Sequence, residues 1–187
     1  MGTMNDIAAP VGSNMGGLVD VIYSVPLADV DLTALAALVS PMNADGKTME
    51  ADLPLKTDKK FYSLYFTKGM GKLDYPLVGE TDGKSREIML DIKIPGTTAA
   101  IESVIDAICV GPQVQIARDA EGRLRLLGIN LRDDGTLAAD WPMYIDTDAA
   151  TTGAAAADKK GHNPIWKGAS NYTPLFYTGD IDLTGAA

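Results

Sequence analysis

The sequence predicts a mainly β fold of the α+β kind, in which one amphipathic helix lies on the sheet. Three observations predict it. Nineteen glycines and ten prolines separate short apolar runs along the 187 residues, which is typical of a chain with many turns. Apolar and polar residues alternate over residues 86–94, as they do in a strand with one buried face. Apolar residues at helical spacing are well supported only at about residues 98–109.

The N-terminal residues 1–17 are rich in glycine, asparagine and small side chains, and they offer little to bury. We expect them to form a flexible arm, followed by a single β-rich domain over residues 18–187. The first strand is predicted at residues 18–25. Pro26 should end it, because proline lacks the N–H that a β ladder needs.

Two connections follow the first strand. Asp31 is a good N-cap for a short helix over residues 31–39, and the Ser40-Pro41 pair should end it. Residues 42–60 are interpreted as a long connection with at most a short strand near residues 49–55. Because long connections in compact domains are often functional, we expect this loop to contact other copies of the chain.

The clearest β region covers residues 61–67, 73–78 and 86–94, with glycine-containing turns between them. The third segment alternates most regularly. One of its faces carries Ile88, Leu90, Ile92 and Ile94, and the other carries Glu87, Met89, Asp91 and Lys93. The first face is therefore predicted to lie in a core and the second in water or at an interface.

The amphipathic helix has start and stop signals at both ends. Thr98 is the predicted N-cap, and Gly111 with Pro112 should end the helix. Its apolar stripe consists of Ile101, Val104, Ile105 and Ile108. Further strands are predicted at residues 113–118, 123–130, 136–145, 162–168 and 174–183, with an exposed loop at residues 146–161.

Charge and composition narrow the functional classes. The chain has 25 acidic and 16 basic residues and a formal net charge of −9, which disfavours gripping nucleic acid, because a negative body repels phosphate. Cys109 is the single cysteine, so no intrachain disulfide forms, and we expect a buried, inert thiol. We expect neither a secretory signal nor a membrane span.

No catalytic or cofactor-binding motif is evident. Phosphate-binding glycine loops are missing, and His162 is the only histidine, which leaves a serine or cysteine nucleophile without a base. The Asp146-x-Asp148 spacing lacks the glycine and glutamate of a calcium loop. We therefore expect a protein that is not an enzyme and that carries no cofactor or metal.

Three segments carry a resemblance to a known family. They are the aromatic residues 61–67 ahead of a hairpin, Ile94-Pro95-Gly96 leading directly into a helix, and the C-terminal residues 174–181. Their order, after the Gly16-Gly17 pair, resembles virion structural proteins of tailed bacteriophages. The similarity is to small tail-tube proteins of phages of Bacteroides-like hosts.

The resemblance implies a tail-tube-like fold, a β-sandwich or curled antiparallel sheet flanked by one helix. It also implies a structural virion protein that assembles with copies of itself into sixfold rings. Such rings stack into a tube through which DNA passes without specific binding, and strands from neighbouring copies close a β-barrel around the channel. Copies of the chain and other tail proteins are then the partners, with no membrane involved. The protein would reside in the virion tail after assembly in the bacterial host cytoplasm.

Carried onto this sequence, the resemblance suggests surfaces for these roles. Glu87 and Asp91 are the candidates that face the lumen, with Arg86 and Lys93 expected on the same outer face. The arm, the 42–60 loop and the 146–161 loop are the candidates for contacts between copies.

Two other functions stay open. The first is another phage ring protein, such as a tail-completion or connector protein. The second is a small β-domain that binds carbohydrate through aromatic side chains. The candidates for that role are Tyr62, Tyr65, Trp141, Trp166, Phe176 and Tyr177. Aromatic residues on strands more often form cores and cross-strand pairs.

Overall fold

A computed structural model describes residues 15–39, 41–81, 83–155 and 158–185. The described chain is mainly β, with several antiparallel sheets and little helix, so the predicted fold class is confirmed. The strands are β1 (Leu18–Pro26), β2 (Thr48–Met49), β3 (Tyr62–Tyr65), β4 (Lys72–Asp74), β5 (Leu77–Val78), β6 (Ser85–Asp91), β7 (Ile94–Pro95), β8 (Gln113–Asp119), β9 (Leu124–Leu127), β10 (Asn130–Leu131), β11 (Leu137–Ala138), β12 (Tyr144–Asp148), β13 (Gly161–His162), β14 (Pro164–Ser170) and β15 (Leu175–Tyr177). The α-helices are α1 (Leu32–Ala36) and α2 (Ala99–Cys109).

Two larger sheets organise the chain. The central sheet has the strand order β2-β15-β9-β8-β1-β3, and only its β2–β15 pair is parallel. The second sheet has the order β12-β14-β6-β4, with β5 also paired to β6. Two short ladders, β10–β11 and β13–β7, complete the pairing among the described residues.

One core lies between the two sheets and α2. Ile22 and Leu64 of the central sheet, Leu90 and Trp166 of the second sheet, and Ile105 of α2 belong to the same buried cluster. The sheets thus form two layers with the helix packed against them.

A second core covers the opposite face of the central sheet. Ile116 and Leu126 lie there with Leu35 of α1 and with Met49 and Leu53 of the 42–60 loop. Part of this loop, which we expected to contact other copies, therefore packs in the core of its own chain. The central sheet is buried on both faces.

Both helices begin where they were predicted, but α1 ends at Ala36, short of the predicted residue 39. The carboxylate of Asp31 accepts hydrogen bonds from Thr33 N and Ala34 N, and the hydroxyl of Thr98 accepts from Ile101 N. In α2, Ile105 and Ile108 are buried, but Val104 is 44% exposed. The predicted apolar stripe is therefore wider than the face that the core covers.

Several predicted strands are shorter than expected. The segment 73–78 divides at Tyr75-Pro76 into β4 and β5, where Glu87 N donates to Pro76 O. The segment 86–94 divides after Asp91. Conversely, β12 extends to Asp148, into the predicted 146–161 loop. Of the predicted arm, residues 1–14 lie outside the described residues.

Candidate assembly surfaces

Glu87 and Asp91 lie on the side of the second sheet that faces away from the core. Ile88 and Leu90 between them are buried, which confirms the predicted alternation along β6. Asp91 is paired with Ile165 and Lys72 on the flanking strands, and Glu87 with Ala169. We call this side of the second sheet the charged face.

Opposite charges are interspersed on the charged face. Lys167 Nζ lies 3.1 Å from Asp146 Oδ2 and 3.6 Å from Glu87 Oε1. These carboxylates, Asp146 above all, raise the pKa of the Lys167 ammonium. Asp91 Oδ1 accepts a hydrogen bond of 3.1 Å from Asn163 Nδ2. On the strands of the charged face and in ion pairs with them, the acidic groups are Glu87, Asp91, Asp74 and Asp146 and the basic groups are Lys72 and Lys167, which leaves a net charge of −2 for these groups. Lys93 is exposed but follows the end of β6 and is not part of a strand.

Arg86 does not lie on the charged face, so that expectation was wrong. On β6 it has the parity of the buried residues Ile88 and Leu90, and its guanidinium donates to Tyr75 O at 3.0 Å. Since successive side chains of a strand point to opposite sides, Arg86 and Glu87 leave β6 on opposite sides, although both line a cavity at the edge of the sheet.

An aromatic patch adjoins the charged face near Glu87. Val78, Trp141 and Tyr144 form it, and they line a cavity of about 540 Å³ together with Glu87 and Lys167. Trp141 is 65% exposed and Tyr144 52%. The sequence predicts Trp141 only as one of the aromatic candidates for carbohydrate binding and does not distinguish it from the others.

The other aromatic candidates differ in exposure, and Phe176 is half-buried with the Arg125 guanidinium over its ring. Trp166 is 0% exposed and Tyr177 is 2% exposed, so neither ring can stack on a ligand. Tyr177 Oη accepts from Leu53 N and donates to Asp180 O, and burial raises the pKa of its hydroxyl to about 12. Tyr62 and Tyr65 of β3 are exposed.

An apolar groove runs between β3 and α2. Two adjoining cavities form it, with volumes of about 590 Å³ and 290 Å³, and both are lined by Leu64 and Val104. Tyr62 and Ala107 line the larger cavity, and Ile101 lines the smaller one. We call this feature the β3–α2 groove.

The buried His162 ring lies between carboxylates of β12 and α2. His162 Nδ1 lies 2.7 Å from Asp148 Oδ2, and His162 Nε2 lies 3.2 Å from Glu102 Oε1. The bond to Asp148, followed by Glu102, raises the pKa of the imidazole. Sequence reasoning treated His162 as isolated, because its partners lie 14 and 60 residues away and no short-range motif connects them.

Cys109 is exposed at the end of α2, so the prediction of a buried thiol was wrong. The surrounding protein atoms still remove part of the hydration of the sulfur. This desolvation, with the nearby Asp148 and Asp106 carboxylates, raises the pKa of the thiol. Within the described ranges, no group of three or more His, Cys, Asp and Glu side chains is arranged to hold a metal ion. No helix of the described residues is long and apolar enough to cross a membrane.

Comparison of the chain with protein-family models, with curated protein sequences and with solved structures finds no match. The surfaces described above are therefore the basis for a functional proposal.

Proposed function

We propose that the protein is a structural subunit that assembles with its own copies into stacked rings around a channel, as a tail-tube protein of a tailed bacteriophage. The observation that carries this proposal is the presence of two open apolar surfaces, the β3–α2 groove and the aromatic patch, on a chain whose two cores are complete. Large exposed apolar surfaces on a folded protein indicate sites of association.

The charged face supplies a suitable channel wall. Its charged groups are of both signs, and Lys72 and Lys167 are already paired with Asp74 and Asp146 of the same chain. A DNA phosphate passing it meets a net negative surface without an unpaired cationic cluster, so DNA has no stable resting place. Glu87 and Asp91 are the lumen candidates in this proposal.

The proposed partners follow from this role. Copies of the chain form the ring and the stack, other tail proteins meet its ends, and DNA passes through transiently. The place of action is the virion tail, after assembly in the bacterial host cytoplasm.

Assembly is tested with the purified chain by size-exclusion chromatography with light scattering and by negative-stain microscopy. We expect rings or stacked tubes at high protein concentration. A strictly monomeric protein under all conditions would contradict the proposal. Single rings that never stack would instead support the related proposal of a tail-completion or connector ring.

The lumen is tested by reversing its charge. We expect assembled Glu87→Lys/Asp91→Lys protein to retain short duplex DNA in a salt-dependent manner, whereas the wild-type assembly does not, because lysines bind phosphate electrostatically. The matched control is Asp45→Lys/Asp134→Lys, two exposed carboxylates elsewhere; both double variants change the net charge from −9 to −5. Equal DNA retention by the two variants would show that Glu87 and Asp91 do not line the channel.

A second candidate function rests on the aromatic patch. An exposed tryptophan and tyrosine beside charged side chains can stack on the apolar face of a sugar ring, so carbohydrate binding is the alternative. Glycan-array binding by monomeric protein that is lost in Trp141→Ala would favour it over assembly. Trp166→Ala is uninformative here, because Trp166 is a core residue.

A further inference from the structure

The β3–α2 groove is open along one side. Among the described residues β3 pairs only with β1, so its other edge has no neighbouring strand. Val104 on α2 and Tyr62 on β3 remain exposed across the groove from each other, although both flank the apolar residue Leu64. The described chain therefore leaves the apolar walls of the groove accessible to solvent.

The groove also differs in charge from the rest of the chain. Lys60 is the one charged residue that lines its larger cavity, and the smaller cavity has none among the described residues. The charge of Lys60 is partly offset by the nearby Asp182 carboxylate, so the groove is close to neutral on a chain with a net charge of −9. It can accept an apolar group from another copy without like-charge repulsion.

Trp141 is such a group, and its backbone is firmly held. Met143 exchanges two backbone hydrogen bonds with Gln113, with N···O distances of 2.8 and 3.0 Å. The chain passes so close to Gly168 that a Cβ there would lie 2.7 Å from Met143 Sδ and 3.3 Å from Trp141 O. The exposed indole therefore projects from a fixed backbone, which lowers the entropy cost of using it as an anchor.

The surroundings of Trp141 complement the groove. Asp140 precedes it, and both oxygens of its carboxylate accept hydrogen bonds from Arg132, with 2.9 Å between Arg132 Nε and Asp140 Oδ2, so the segment that carries Trp141 presents a neutralised ion pair. The aromatic patch also adjoins Glu87 at the edge of the charged face, where subunits of a ring would meet beside the channel wall. A tryptophan seated in an apolar pocket is a typical dominant contact of a protein interface.

We propose that the occupant of the β3–α2 groove is Trp141 of a second copy, so that each subunit inserts its indole between β3 and α2 of the next. The contact joins two different surfaces, and repetition of such a contact produces a ring when the rotation closes. This inference rests on the self-assembly proposed above and identifies the residues that carry it.

Trp141→Ala tests the anchor. We expect the protein concentration at half-assembly to rise at least about tenfold, as for the loss of a central interface residue. Val39→Ala is the matched control, because Val39 is 91% exposed and lies outside both surfaces. Circular dichroism of both variants checks that the fold is retained.

Cross-linking tests the pairing directly. Two cysteines are introduced together into a Cys109→Ser chain, Ser103→Cys on α2 and Asp140→Cys beside Trp141. These changes leave Trp141 and Val104 themselves unaltered. A short bismaleimide should then link copies into a covalent ladder, while a chain with Val39→Cys in place of Asp140→Cys should give none. Mixing the two single-cysteine chains should give a heterodimer.

The outcomes separate the two proposals. If the wild-type chain never assembles, the proposed function fails. If it assembles but Trp141→Ala assembles equally well and the ladder is missing, only the inference about the groove is wrong. Cross-linking of the Ser103→Cys chain with itself would mean that two α2 helices meet, and would also overturn it.

Discussion

Two glutamines of β8 point toward the core between the sheets and differ in their hydrogen bonding. Gln113 Oε1 accepts from Ser24 Oγ at 3.2 Å, and Gln113 Nε2 donates to Gly111 O at 3.3 Å. Gln115 is 0% exposed, and neither its Oε1 nor its Nε2 has a partner among the described residues. Burying a polar group without a hydrogen bond costs about 1–3 kcal/mol, so the two side chains contribute to stability with opposite sign.

Substitution by methionine, which is similar in shape, should show this difference. We expect Gln115→Met to raise the free energy of unfolding by about 1 kcal/mol, because no unpaired amide is buried any longer. Gln113→Met should lower it by about 1–2 kcal/mol, because Ser24 and Gly111 lose their partner. Urea unfolding followed by circular dichroism measures both, and equal destabilisation by the two variants would contradict this account.

At the level of elements, His162 links three parts of the fold. It lies on β13, while Asp148 belongs to β12 and Glu102 to α2. Two carboxylates facing one buried imidazole favour the protonated ring, since an opposite charge at close range stabilises the charged form. In its protonated form the imidazole therefore links α2 to the edge of the second sheet.

The pH dependence of stability follows from the raised pKa of His162. A group whose pKa is higher in the folded state stabilises the fold fully below its unfolded pKa of about 6.5 and loses that effect as the pH rises through the folded value. We expect the free energy of unfolding to decrease from about pH 6.5 upward. His162→Gln should remove this slope, and an unchanged slope in that variant would assign it to other groups.

The elements differ in how far the sequence predicts them. Both helices were predictable because their caps, Asp31 and Thr98, act within a few residues. The orientation of Glu87 and Asp91 was predictable because alternation along one strand is a local property. Other features depend on which distant strands come together, and local spacing carries no information about that. They are the exposure of Trp141, the exposure of Val104 and the partners of His162.

At the scale of the whole molecule, net charge and assembly oppose each other. Bringing together copies that each carry −9 is electrostatically unfavourable, while the proposed contact between copies is mainly apolar. The net outcome therefore depends on how strongly the surrounding salt screens the repulsion.

Raising the KCl concentration from about 0.1 M to about 1 M should lower the protein concentration at half-assembly, because the Debye length falls from about 10 Å to about 3 Å. Light scattering measures this. Asp45→Asn/Asp134→Asn, with a net charge of −7, should show a weaker salt response. Dissolution of the assemblies by salt would show that ion pairs between copies dominate instead.

The strand order of the central sheet has a consequence for synthesis of the protein. The interior strands β1 and β8 are about a hundred residues apart, and β15 pairs with both β2 and β9. Leu175 and Tyr177 of β15 belong to the second core. A nascent chain therefore cannot close that core until β15 has left the ribosome, and such long-range pairing is a slow step. We therefore expect prematurely terminated chains lacking β15 to have an incomplete second core, which would keep incomplete subunits out of an ordered assembly.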